Sequence, residues 1–228
     1  MGTQDGVRPA FYALRAGGWR DYVTLLHLPY TLWNLSYVAF GAALAPRFHV
    51  DRMLWGMAAF FLALGVAAHA LDELHGRPLQ TRIPTAVLKG LAVTGLAGAV
   101  AIGVGAAAAW GYGLLAFVAV GGVAVPAYNL EWFGGAIHNE LGLALSWAAL
   151  PILAAYWVEA QTVRAEAILA AAYGTIMIVA QRTLSTPVRA ARRQQGDTES
   201  VAPQERALRL MAGASIVLGL ALVVLRLR

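Results

Sequence analysis

Apolar runs of about 17–23 residues recur from one end of the chain to the other, separated by short polar stretches. They fall at roughly 24–45, 53–74, 85–105, 109–127, 141–158, 163–182 and 208–225. A helix needs about 20 such residues to cross the hydrocarbon core of a bilayer. The pattern therefore predicts an all-α fold: a polytopic transmembrane helix bundle of about seven spans, forming one membrane domain over residues 1–228. Buried helices of a soluble protein are the competing reading, but these runs are apolar all round and lack a polar face. Arg8, Arg15 and Arg20 are spread out, and no small-residue cleavage site follows a short apolar core, so no signal peptide is expected. Residues 183–207 are the one long polar stretch and read as a cytoplasmic loop with room for a short helix before the final span.

Composition sharpens this picture. Hydrophobic residues make up 59% of the chain and charged residues 13%, against about 25% charged in a soluble domain. A soluble enzyme and a disordered chain are both excluded by those proportions. The absence of Cys removes disulfides, thiolate metal sites and thiol nucleophiles. The net charge of +5 would suggest nucleic acid if the basic residues were not distributed by topology. With the N-terminus in the cytoplasm, that side holds Arg8, Arg15, Arg20, Arg77, Arg82, Lys89, Arg182, Arg189, Arg192, Arg193, Arg206 and Arg209. The outer side holds Arg47, Arg52, Arg164, Arg226 and Arg228, a split of twelve to five among the 17 basic residues. This is the positive-inside bias. It predicts an extracytoplasmic C-terminus, contact with membrane lipids through anionic headgroups, and no nucleic-acid partner.

The candidate chemistry lies in two links on the predicted cytoplasmic side. The first reads His69-Ala-Leu-Asp72-Glu73-Leu-His75-Gly76-Arg77. The second runs from Tyr128 to Glu140 and carries Glu131 and His138 but no Lys or Arg. Charged groups beside membrane-embedded helices are costly and so are functional candidates by default. On a helix, His69, Asp72 and Glu73 stand at i, i+3 and i+4 and share a face, while His75 sits about 60° around from Asp72. Imidazole and carboxylate together suit zinc, iron or manganese. The expected ligands are His69, Asp72 and Glu131, with His138 or His75. Glu73 and Glu140 are candidate proton carriers. Arg77 and Arg82 are candidates for holding a phosphate, although inside-rule charge accounts for them equally well. The plain alternative is a hydrogen-bonded polar cap, since polar residues collect at span ends where water is.

These stretches, in their order and spacing, resemble the UbiA-type intramembrane prenyltransferase superfamily over about residues 20–185. Leu28-Pro29-Tyr30-Thr31 through Ala45 is similar to that family's opening helix, Arg77-Pro78-Leu79-Gln80-Thr81-Arg82-Ile83-Pro84 to the segment after its first aspartate motif, and Leu141 to Pro151 to its fifth helix. The resemblance implies a lipid-accessible chamber, a magnesium-bound prenyl diphosphate and nine spans. The chain departs from this pattern. Where the first motif has several Asp, only Asp72 remains and His69 replaces another. The region of the second motif, Tyr173 to Ser185, has no acid. Magnesium prefers oxygen ligands, so the exchange of Asp for His favours iron, zinc or manganese. The expectation is a metal-dependent integral membrane enzyme acting on an isoprenoid or lipid-like substrate by transfer, cyclisation or oxidation. Two alternatives stand beside it: a non-catalytic lipid-binding or partner subunit with a decayed site, and an ordinary magnesium-dependent prenyltransferase.

Overall fold

The computed structural model describes residues 8–194 and 199–228, and all regular structure among them is helical. A short helix, α1 (Trp19–Leu25), precedes α2 (Leu28–Leu44) and α3 (Val50–Leu74). Then follow α4 (Thr85–Trp110), α5 (Leu114–Asn129), α6 (Glu140–Ala160), α7 (Ala165–Arg193) and α8 (Ala202–Arg226). Each apolar run of the sequence falls on one of α2 to α8. Five of these helices, α3, α4, α6, α7 and α8, are long and apolar enough to cross a membrane. The other two are shorter: α2 has 17 residues and α5 has 16. At 1.5 Å per residue they reach about 26 and 24 Å, less than a hydrocarbon core of about 30 Å. At its C-terminal end α2 stops where Ala45 turns extended, as a residue before proline is pushed to do.

The expected polar loop over 183–207 is also different in form. The helix α7 continues to Arg193, and α8 begins at Ala202. Ser185 and Val188 are buried, and Val188 packs with Val201 and Leu208. A buried face on 183–193 supplies what a loop lacks, and the helix propagates through it. Residues 195–198 of that stretch lie outside the described residues.

The outer surface is that of an integral membrane protein. Only 17% of the most apolar window of α4 is buried, and 22% of that of α8. Val93, Ile168, Leu169, Ile176, Val217 and Leu220 are all exposed. Water does not tolerate apolar surface on that scale; lipid does.

Inside, α2 is the central helix, packed between α6 and α8. The closeness of α2 and α6 depends on Gly41. A Cβ at that position would lie 2.1 Å from the Ile152 carbonyl oxygen. Trp33, Tyr37, Phe40, Ala148 and Ile152 fill the seam against α7 and α8. Two polar atoms in this core are matched: the Trp33 indole N–H donates to Tyr37 Oη at 2.7 Å, and Tyr37 Oη donates to the Gly174 carbonyl at 3.5 Å. At one end, the His49 amide and ring Nδ1 both bond Glu159, which ties the start of α3 to the end of α6. The opposite end is open.

Two helices lining that open end are locally underwound. Residues Phe61–Ala68 of α3 and Leu145–Ala149 of α6 are π-helical. Such segments are rare and frequently border functional sites. The one in α3 ends immediately before His69.

Candidate functional site

The open end holds a chamber of about 480 Å³ between α2, α3, α5, α6 and α7, roofed by residues 9–12 of the N-terminal segment. Its walls are mixed. Tyr30, Trp33, Tyr128 and Trp147 supply aromatic faces. His27, His69, Asp72 and His138 supply imidazole and carboxylate. Arg182, Arg189 and Arg193 come from α7, with Gln181 and Ser185 on the same face.

The structure divides the residues expected at the site. His69, Asp72 and His138 come to the chamber wall. His75 and Glu131 do not. They face each other at 4.0 Å on the exterior, with side chains 61% and 48% exposed. Glu131 sits on a left-handed backbone (φ 52°) where α5 gives way to an exposed turn, Trp132–Gly135. Glu140 is an exposed residue in the first turn of α6, whose N-cap is Asn139 bonded to the Gly142 amide.

Glu73 is absent from the chamber wall and fully buried. Its Oε1 accepts from the Thr81 amide and hydroxyl, both at 2.8 Å, and its Oε2 accepts from the Leu79 amide at 3.0 Å. It is the staple of the α3–α4 loop. Arg77 serves the same loop. Its guanidinium donates to the Thr81 and Ile83 carbonyls and to the Thr85 hydroxyl. Arg82 is exposed, and its amide donates to Asp21. Asp21 also accepts from the Gly17 amide, so one buried carboxylate ties the N-terminal segment to the loop. Of the positions expected to move protons and hold phosphate, Glu73 and Arg77 bond the backbone of the α3–α4 loop, while the Glu140 and Arg82 side chains are exposed.

The imidazoles on the wall have fixed roles. His69 Nδ1 lies 3.1 Å from the Gly65 carbonyl, and His138 Nδ1 lies 2.8 Å from the Tyr128 carbonyl. A carbonyl only accepts, so in each ring Nδ1 carries the hydrogen and donates. The His69 amide donates to the Val66 carbonyl where the π-segment gives way to ordinary helix, and its ring reaches the Gly65 carbonyl beside it. His138 is further held by stacking on Tyr128 at 4.5 Å, and Tyr128 leans on Trp147 at 4.9 Å. Arg182 donates to the Tyr128 hydroxyl at 3.2 Å.

No family model, curated protein or solved structure matches the chain.

Several chamber residues were not singled out from the sequence as site residues. His27 precedes α2 in a left-handed conformation (φ 47°, ψ 45°). Its ring stacks on His69 at 3.9 Å, and its Nδ1 meets the Tyr12 hydroxyl at 3.0 Å. Burial raises the pKa of that phenol above its ordinary value, with Tyr30 adding in the same direction. Tyr12 is therefore a neutral hydrogen-bonding group at any physiological pH. A non-glycine residue in this backbone region costs about 1–3 kcal/mol and persists where surrounding structure insists on it. On α7, Ile178, Gln181, Arg182, Ser185 and Arg189 recur at helical spacing, and this was the signal available for them. Among the described residues, no three His, Asp or Glu side chains stand close enough to share an ion as they are now placed.

Proposed function

We propose that this chain is an integral membrane enzyme that acts on an isoprenoid or lipid-like substrate, whose polar head enters the chamber and whose apolar part lies against the aromatic wall and the bundle. The observation that carries this reading is the pairing of opposite chemistries in one chamber. Arg182, Arg189 and Arg193 of α7 face a wall bearing His69, Asp72 and His138, with Tyr30, Trp33 and Trp147 between. Guanidinium groups suit a phosphate or diphosphate head. Aromatic faces suit a developing cation on an isoprenoid chain. A divalent metal, iron, zinc or manganese in preference to magnesium, would act as a Lewis acid on the leaving group. We place the chamber at the cytoplasmic end, following the basic asymmetry, and read the scaffold as UbiA-like.

One observation favours the non-catalytic alternative. Asp72 is the sole carboxylate among the described chamber residues, whereas gathering magnesium around a diphosphate calls for several oxygen ligands. The two readings separate in one experiment. Protein purified in mild detergent is extracted for lipids, which are identified by mass spectrometry, and is then incubated with farnesyl diphosphate with and without added Fe²⁺, Zn²⁺, Mn²⁺ or Mg²⁺. Metal-dependent consumption that is lost in Asp72→Asn supports the enzyme. Saturable binding with no consumption under any metal supports a lipid-binding subunit. Neither binding nor a co-purified amphiphile would sink both.

A further inference from the structure

We propose that the chamber selects a phosphomonoester head, held directly by Arg189 and Arg182 with no bridging cation, a narrowing that rests on reading the chamber as the functional site. Arg189 lines the chamber and makes no hydrogen bond or ion pair to any described residue. Its neighbours on α7 are engaged. Arg192, three residues on, pairs with Glu205 and donates to the Arg8 carbonyl. Arg182 donates to the Tyr128 hydroxyl at 3.2 Å, a neutral oxygen that cancels none of its charge. Arg182, Arg189 and Arg193 stand at i, i+7 and i+11, close to two and three full turns, and so share the chamber face of the helix. Of the charged groups around Arg189, Arg182 acts on it most strongly and Asp72 less so. Like charges gathered beside a membrane repel one another and stay costly until an anion joins them.

The balance of charge sets the kind of anion. Among the described chamber residues, three guanidinium groups face the single carboxylate of Asp72, which leaves two positive charges uncompensated. The stacked His27 and His69 rings, 3.9 Å apart, add no pair of charges, because two imidazolium groups at that distance would repel. A phosphomonoester carries about −1.5 to −2 at pH 7, which matches the excess. A diphosphate carries more than the wall can balance and calls for cations to bridge its oxygens. Guanidinium forks neutralise the smaller head directly, with hydrogen bonds aimed at its oxygens. Trp33, Leu143, Trp147 and Ile178 line the same chamber and cover the apolar chain that carries the head. No closure is required, since both guanidinium groups line the cavity of about 480 Å³ as it stands. Free phosphate presents the same oxygens, so the two sources of this anion are separated by experiment.

The test uses the full chain purified in detergent. Binding of farnesyl monophosphate, farnesyl diphosphate, farnesol and inorganic phosphate is measured by calorimetry, first in chelator and then with Mg²⁺. In chelator, the monophosphate should bind about tenfold or more tighter than farnesol, and tighter than the diphosphate. Mg²⁺ should leave the monophosphate unchanged. Arg189→Gln should bring the monophosphate to the level of farnesol, and Arg182→Gln should lower the preference as well. Arg189→Lys should keep part of it, because a point charge remains without the fork. Arg82→Gln, which alters an exposed side chain outside the chamber wall, should keep the parent's preference. Each preference is a ratio within one protein, and the parent's ratio decides even if a variant fails to fold. Equal binding of monophosphate and farnesol by the parent overturns the anion site but leaves the lipid chamber standing. Tighter binding of the diphosphate in chelator overturns it, as does a parent-like preference in Arg189→Gln or its loss in Arg82→Gln. Inorganic phosphate that binds as well as the monophosphate supports the anion site and removes the lipid from the chamber.

Discussion

Replacing Glu73 distinguishes a structural carboxylate from a catalytic one. The side chain is fully buried and accepts three hydrogen bonds, two of them from backbone amides at Leu79 and Thr81. Glu73→Ala removes every acceptor and leaves both amides buried in a tight loop. An unsatisfied buried donor costs about 1–3 kcal/mol, so the pair costs about 2–6 kcal/mol. In a chain of this size each kcal/mol shifts the unfolding midpoint by about 2–4 °C. The expected fall is at least about 4 °C, measured by a fluorescence melt in detergent. Glu73→Gln keeps the volume and one oxygen. Its carbonyl can hold the Thr81 pair, but its amide then meets the Leu79 N–H as donor against donor. It should sit between parent and Glu73→Ala. Both variants loosen Pro78 and Leu79, which line the chamber, so any loss of activity should track the loss of stability. The refuting result is a Glu73→Gln protein that melts with the parent yet has lost turnover. That would make Glu73 a proton carrier and its loop bonds incidental.

Three further outcomes are expected. Gly41→Leu should prevent folding or lower the midpoint more than any surface substitution, because even its Cβ lies 2.1 Å from the Ile152 carbonyl; yield and melting in detergent check this, and Gly90→Leu, where nothing lies near, is the control. Arg189→Gln and Arg182→Gln should each weaken binding of an anionic amphiphile such as farnesyl diphosphate, with a smaller effect on farnesol, measured by competition against a labelled lipid; equal weakening of both ligands would remove the anionic head from the model. A reporter fused after Arg228 should read extracytoplasmic if α2 and α5 both cross the membrane despite their length; a cytoplasmic reading would mean that one of them does not.

How much of this was legible beforehand follows the physics. Helices were legible because each apolar run is long and unbroken, and α3, α4, α6, α7 and α8 all lie where such runs occur. The extent of α7 was not. Its last turns look like a polar loop by composition, and become helical because Ser185 and Val188 point inward against α8. That is a tertiary contact with no local signal, although Gln181, Arg182, Ser185 and Arg189 at helical spacing do mark a polar face. The shortness of α5 was legible, since its run at 109–127 reads as short or tilted, but the start of α2 was hidden, because apolar residues precede the point where His27 turns left-handed.

At the site, residue type was a better guide than proximity. His69, Asp72 and His138 come from the two links that the sequence singles out and reach one chamber. Glu73 and Arg77 were drawn from the same links for the same reason, and the structure uses both on backbone groups of the loop they flank. Spacing along a helix could not separate them. Asp72 and Glu73 are adjacent, and one residue of rotation, about 100°, decides that the first lines the chamber while the second is sealed behind it. The π-segment upstream underwinds α3 immediately before His69 and contributes to the angle at which both residues leave the helix. A one-residue shift of register there would turn Glu73 to the direction Asp72 now takes and Asp72 to that of Leu71.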